Sequence, residues 1–436
     1  MSEQRKNLKK YIIPAMIGNI SFFILTIVDG MFVGNGVGTD ALGAVSLAMP
    51  FVNTVWALST LFNIGGVAVA SVRLGRDDTE GANQAFMHSL SANAVIFAAI
   101  TLIGTLFSRN VASLLGANET YIDMVSDYIF WYSVFLMSTM IGPCFNCFAR
   151  NDGNPGLSLA VSFTCTAANI FGDWLMVYPL KMGVAGAAIA TGAANLLAML
   201  VGLSHFIFKK GRLRICGFRP SFRLYRKIML RGFPEMISQF ANPVTAFSMN
   251  NILINHLGNT AVNAYSVITY ASSLFSSLMW GVSSGLQPLY GLSYGAKNDK
   301  DLKYYFRNGK LIALVGGTAV FLLTFAVGKP LCTMFGADGE TLPIVCASLP
   351  KYCLNYVFAA LTAVIAAYLF STKRTKYAIP INVCRSIVLN FACINFLPLI
   401  FGYGFVWYTV AVAEGLCLII AFVLKRLSER CGIVYR

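Results

Sequence analysis

At 436 residues, with 57% hydrophobic and only 12% charged side chains and a mean hydropathy of +0.66, the chain falls outside the soluble globular class, where about a quarter of residues are charged. The 33 Lys and Arg against 18 Asp and Glu give a formal +15, which in a soluble chain would point to nucleic acid. Here the cations gather in connections between apolar runs, which points to a membrane surface instead. The composition is that of an all-α polytopic membrane protein.

The basic start MSEQRKNLKK leads into an apolar run too long for a signal-peptide core and without a convincing cleavage site, so it reads as a retained first helix. Runs able to cross a hydrocarbon core of about 30 Å, roughly 20 residues each, fall near 11–33, 46–71, 85–107, 124–148, 156–178, 183–208, 234–256, 261–290, 308–328, 345–370, 378–400 and 405–424. That gives twelve transmembrane helices. The N-terminus, the C-terminus and the connections after even-numbered spans hold 28 Lys and Arg, counting Lys310 at the edge of span 9 with its connection, while the opposite connections hold 3. Both termini are therefore expected on the cytoplasmic side.

The longest hydrophilic stretch, KKGRLRICGFRPSFRLYRKIMLRG, carries nine cations and no acid from Lys209 to Arg231. Part of it, from Phe222 to Met229, reads as a short interfacial helix. This connection divides the chain into an N-terminal lobe (1–208), a basic linker (209–233) and a C-terminal lobe (234–436). The lobes repeat. A shift of 220 residues aligns Pro14 with Pro234, Gly38 with Gly258, Ala44 with Ala264, Gly65 with Gly285, and Gly116-Ala117 with Gly336-Ala337; one insertion later, Asn169 faces Asn390. Two six-helix bundles in the same orientation are expected to be pseudo-symmetric about an axis along the membrane normal.

Few charges remain inside the spans. Asp29 lies about eighteen residues into span 1, and Asp173 eighteen residues beyond Pro155 in span 5, so the two acids share a depth and a bundle. Asn169 precedes Asp173 by four residues and shares its helix face, and Thr191 in span 6 adds a hydroxyl. An intramembrane acid is costly, about 2.5–3.5 kcal/mol for Asp at a helix centre, and such groups mark functional sites. This all-oxygen set suits a hard monovalent cation or protons shared between coupled acids. The structural alternative has Asp29 capping backbone amides near Gly30 and Gly34 while Asp173 meets interfacial water.

Glu235 follows Pro234 at the expected start of span 7, where the helix dipole favours a first-turn carboxylate; the second reading puts it in the cavity of the second bundle. Arg385 in span 11 and Glu414 in span 12 lie at similar depths and are expected to form a structural ion pair. Tyr128 and Tyr132, with Trp131, or Tyr265 and Tyr270, are candidates to line a cavity for flat cations. No zinc-protease, Walker A or prenyl-diphosphate pattern is present, and His88, His205 and His256 are isolated in the sequence. The eleven cysteines read as packing residues, and neither an enzyme nor a cofactor is expected.

In its order of runs the chain resembles the MATE (multidrug and toxic compound extrusion) transporters of bacteria, NorM-, DinF- or MepA-like, over nearly its whole length. The runs are VDGMFVGNGVGTDALGAVSLAMP, GVAVASVRLGR, NIFGDWLMVYPLKMGVAGAAIATGAAN, PEMISQ with NNILINHLGNTAVNAYSV, and GLQPLYGLSYGAK. The resemblance implies export of cationic amphiphilic drugs across the bacterial cell (inner) membrane in exchange for H+ or Na+, by alternating access in a monomer. It implies a cation site at Asp29, Asn169, Asp173 and Thr191, a helix bend at Pro14, and an acidic position at Glu235. The helix-10 acid of some relatives is missing between Val345 and Phe370. A lipid-linked oligosaccharide flippase of the wider superfamily is the alternative.

Overall fold

The computed structural model describes residues 3–334, apart from 38, 118, 120 and 218, and residues 341–430. Helices account for the folded elements throughout, with no strand among the described residues. This is what a lipid environment requires, because each backbone N–H and C=O is satisfied within its own segment.

The first half comprises α1 (Glu3–Gly36), α2 (Thr39–Leu74), α3 (Thr79–Leu106), a short α4 (Ser108–Leu114), α5 (Ile122–Val134), α6 (Leu136–Asn151), α7 (Pro155–Val177) and α8 (Gly183–Ile207). The second half comprises α9 (Phe222–Ser238), α10 (Ala241–His256), α11 (Asn259–Gly295), α12 (Asp299–Met334), α13 (Thr341–Cys353), α14 (Asn355–Ser371) and α15 (Thr375–Val383). A π-helix (Cys384–Leu389), α16 (Asn390–Phe401), a 3-10 turn (Tyr403–Phe405) and α17 (Val406–Arg430) follow. Among the described residues nine helical stretches are long and apolar enough to span, and α5 with α6 forms a tenth, bent by 49°. The remaining two of the twelve spans are α10, led in by α9, and the more polar α11.

Duplication is visible in the backbone itself. The helix starts at Thr39, Thr79 and Pro155 recur 220 residues later at Asn259, Asp299 and Thr375. Left-handed residues close corresponding helices: Asp77 (φ 59°) with Lys297 (φ 54°), and Gly153 (φ 90°) with Lys373 (φ 61°). The repeat positions Gly38, Gly336 and Ala337 lie outside the described residues.

The chain forms two compact units, 17–232 and 1–16 with 233–436. Their boundaries differ from the division at 208 and 234 read from the sequence. The first sixteen residues join the second half because two glycines of α11 admit the α1 backbone: a Cβ on Gly281 would lie 2.6 Å from Met16 Cα, and one on Gly285 2.9 Å from Ile12 Cα. Gln4 Nε2 also donates to Asp301 at 2.6 Å. The basic connection joins the first half through Asp152, which accepts from the backbone N–H of Arg212 at 2.9 Å and of Leu213 at 3.0 Å, and from His205 Nε2 at 2.9 Å. His88 accepts from the Ser221 N–H at 3.0 Å, so two histidines isolated in the sequence are tied to the connection in the fold.

The interfacial helix and span 7 also differ from expectation. α9 runs unbroken from Phe222 to Ser238 with Pro234 inside it, and the break comes at Gln239 and Phe240. The Pro234 carbonyl accepts from Ser238 Oγ, one turn further along the same helix, at 3.1 Å and from Asn382 Nδ2 at 2.7 Å.

Candidate functional site

In the 17–232 unit α1 runs alongside α7 in the same direction. Gly18 faces Ser162, Thr166 Oγ1 donates to the Ser21 carbonyl at 3.2 Å, and the Phe32 ring meets Tyr178 with centroids 5.8 Å apart. This register sets Asp29 beside Asp173, and the two carboxyls are within hydrogen-bonding reach of each other. Asp173 and Asn169 are fully buried, and Asp29 and Thr191 are partly exposed.

The neighbouring α8 supplies Thr191, whose hydroxyl accepts from Asn169 Nδ2 at 3.1 Å. That bond fixes the amide so that its oxygen is the free end. Asn169 Oδ1, both Asp173 oxygens and Asp29 Oδ1 are buried and receive no protein donor. Buried oxygens are ordinarily paired, and leaving several unpaired together is expensive. All four residues singled out on α1, α7 and α8 are thus brought into one pocket, and the fold does not use Asp29 as a backbone cap.

Tyr128 lies close enough to both acids to feel their charge. It stacks on Tyr132 with centroids 6.0 Å apart, and both rings belong to the buried core with Val33, Val184 and Ala187. Tyr128 thus stands beside the acids as a core residue, with Tyr132 packed against it. Tyr265 is buried against Tyr352, and the Tyr270 side chain lies outside the described residues.

The other intramembrane charges singled out from the sequence belong to the other compact unit. Arg385 Nε reaches both Glu414 oxygens, at 2.7 and 3.0 Å, which is the ion pair expected from their depths. Glu235 is not in a first helical turn: α9 begins at Phe222 and nearly ends where Glu235 stands. The helix dipole therefore does not hold it. Its Oε1 accepts instead from Trp280 Nε1 at 3.1 Å, a partner no spacing in the sequence reveals. Pro14 lies within α1, which stays helical from Glu3 to Gly36.

A MatE family model matches the chain twice, over residues 14–175 and 234–395. The chain belongs to the MatE family. The two matched stretches are 220 residues apart, so each half carries the MatE pattern separately. Over 427 residues the chain is 24% identical to a multidrug export protein MepA of Staphylococcus saprophyticus subsp. saprophyticus, covering 96% of this chain and 93% of that one. Over 396 residues it is 25% identical to an FAD transporter of Shewanella oneidensis, covering 86% and 84%. Its fold is similar to that of a solved multidrug resistance MATE family transporter of the MOP superfamily, with a TM-score of 0.92 at 20% identity, covering 99% of this chain and 97% of that one.

Proposed function

We propose that this MatE protein is a secondary active exporter of cationic amphiphilic compounds, driven by inward movement of H+ or Na+ through the Asp29, Asn169, Asp173 and Thr191 pocket. The observation that carries the reading is the contact between two carboxyls among buried oxygens that lack donors. Two like charges in contact within a poorly solvated pocket repel strongly, so the pair needs a proton or a small cation between its oxygens. A carboxyl pair with an amide oxygen and a hydroxyl offers hard ligands, and a shared proton serves the same charge balance.

Transport follows from exclusion between two cations. A cationic drug bound from the cytoplasm favours an empty acid pair, and ion entry from outside at Asp29 and Asp173 lowers drug affinity. Linkage makes that coupling reciprocal. Pro14, which removes one backbone hydrogen bond from α1, is the point where the helix bends as the pair fills. The MepA relatives support drug export. The FAD transporter is named for an anionic cargo, which an acidic pocket does not complement.

The test is efflux of a cationic fluorescent dye from proteoliposomes under separately imposed Na+ and pH gradients. One gradient should drive efflux, and raising the same ion outside should weaken dye binding. Asp29→Asn and Asp173→Asn should each abolish efflux while the purified protein keeps its melting temperature. Wild-type efflux by either variant refutes the site, and failure to move dye under both gradients refutes the antiport.

A further inference from the structure

On the flank of the second compact unit, α14 packs between α12 and α17 and forms the floor of a groove of about 610 Å³. Its lining changes character along its length. Arg307, Lys310 and the Tyr304 side chain stand at one end, and Leu311, Leu314, Leu361 and Phe422 continue from them.

The position of this change follows from α12. From Leu311 to Gly328 the helix carries no charge, eighteen residues or about 27 Å at 1.5 Å each, close to the thickness of a hydrocarbon core. Arg307 and Lys310 therefore stand at headgroup level at the basic end of the helices, and Leu311 and Leu314 begin the acyl region directly beneath. Neither cation forms an ion pair among the described residues. Lys310 instead lies over the Phe306 ring at 4.9 Å, while Lys425 on the facing wall is paired with Glu429 at 2.8 Å.

We propose that this groove is a binding site for one anionic phospholipid, whose phosphate is held by Arg307 and Lys310 and whose acyl chain lies over Leu314 and Phe422. Charge complementarity selects the headgroup, and the apolar continuation at acyl depth selects a lipid over a free anion. The site is separate from the acid pocket and does not depend on which ion drives transport.

Native mass spectrometry of the purified full-length protein, titrated with phosphatidylglycerol or phosphatidylcholine of identical chains, tests this. Wild type should retain phosphatidylglycerol at far lower concentration than phosphatidylcholine. Arg307→Gln with Lys310→Gln should weaken phosphatidylglycerol about thirty-fold, on the scale of about 1 kcal/mol per surface cation, and leave phosphatidylcholine unchanged. Leu314→Trp, which fills the groove, should weaken both lipids. The α9 pair Arg223→Gln with Arg226→Gln removes equal charge elsewhere and should change nothing. Equal loss from the α9 pair, unchanged retention in the groove variants, or displacement of the lipid by millimolar inorganic phosphate would each overturn the proposal.

Discussion

Replacing Gly281 with alanine tests how closely α1 and α11 are held. A Cβ at 281 would lie 2.6 Å from Met16 Cα and 2.9 Å from Met16 N, where ordinary contact begins near 3.4 Å. The obstruction is backbone, so no rotamer change relieves it, and the helices must part by 3.4 − 2.6, or 0.8 Å. A gap of this size forfeits about a quarter to a half of each dispersion contact across the interface, and overpacking of this kind costs about 1–3 kcal/mol. Alanine returns up to about 1 kcal/mol in helix propensity, a gain the control shares, so the difference between the two variants is the overpacking cost of about 1–3 kcal/mol. For a compact unit of this size that separates their melting temperatures by roughly 2–12 °C. Gly415→Ala is the control, because its Cβ meets only ordinary contacts at 3.8 and 3.9 Å and should be neutral or stabilising. Thermal denaturation of both variants in one detergent decides the matter. If Gly281→Ala melts no lower than Gly415→Ala, the close approach of α1 to α11 is refuted.

Arg385→Met leaves Glu414 buried without its cation and should cost about 3–5 kcal/mol, while Arg385→Met with Glu414→Leu should recover most of it; urea or thermal unfolding in detergent reads both. Trp280→Phe removes the donor to Glu235 and should cost about 1–3 kcal/mol, whereas adding Glu235→Gln should reduce the loss, measured by melting. Asp152→Ala releases the Arg212 and Leu213 amides, so hydrogen exchange across the basic connection should quicken about tenfold or more, with α7 unaffected.

The span pattern, the duplication and the acid pocket were legible because each rests on local periodicity and depth. Asp29 and Asp173 could be matched by counting residues from the ends of their helices, and Asn169 by its four-residue offset. Contacts set by helix packing were not legible. Nothing in the spacing of Trp280 and Glu235, or of His205 and Asp152, records that they meet. The close approach of α11 to α1 turns on two glycines in a chain with 38, and only the fold tells which of them face a neighbouring backbone. Pro234 misled for a related reason: a proline marks a helix start by propensity, yet here it sits inside a helix that runs on to Ser238.

The π-helix accounts for the drift between the halves. α7 begins at Pro155 and α15 at Thr375, 220 apart, but Asn169 matches Asn390, 221 apart. The extra residue is absorbed at Cys384–Leu389, where Asn390 Nδ2 bonds to the Arg385 carbonyl at 2.8 Å. A one-residue insertion is how such wide turns arise within α-helices. Within that turn Arg385 pairs with Glu414 in the second copy, where the first copy keeps two acids in contact. The ancestral duplicates have thus parted company electrostatically, one keeping an acid pair and the other an internal ion pair.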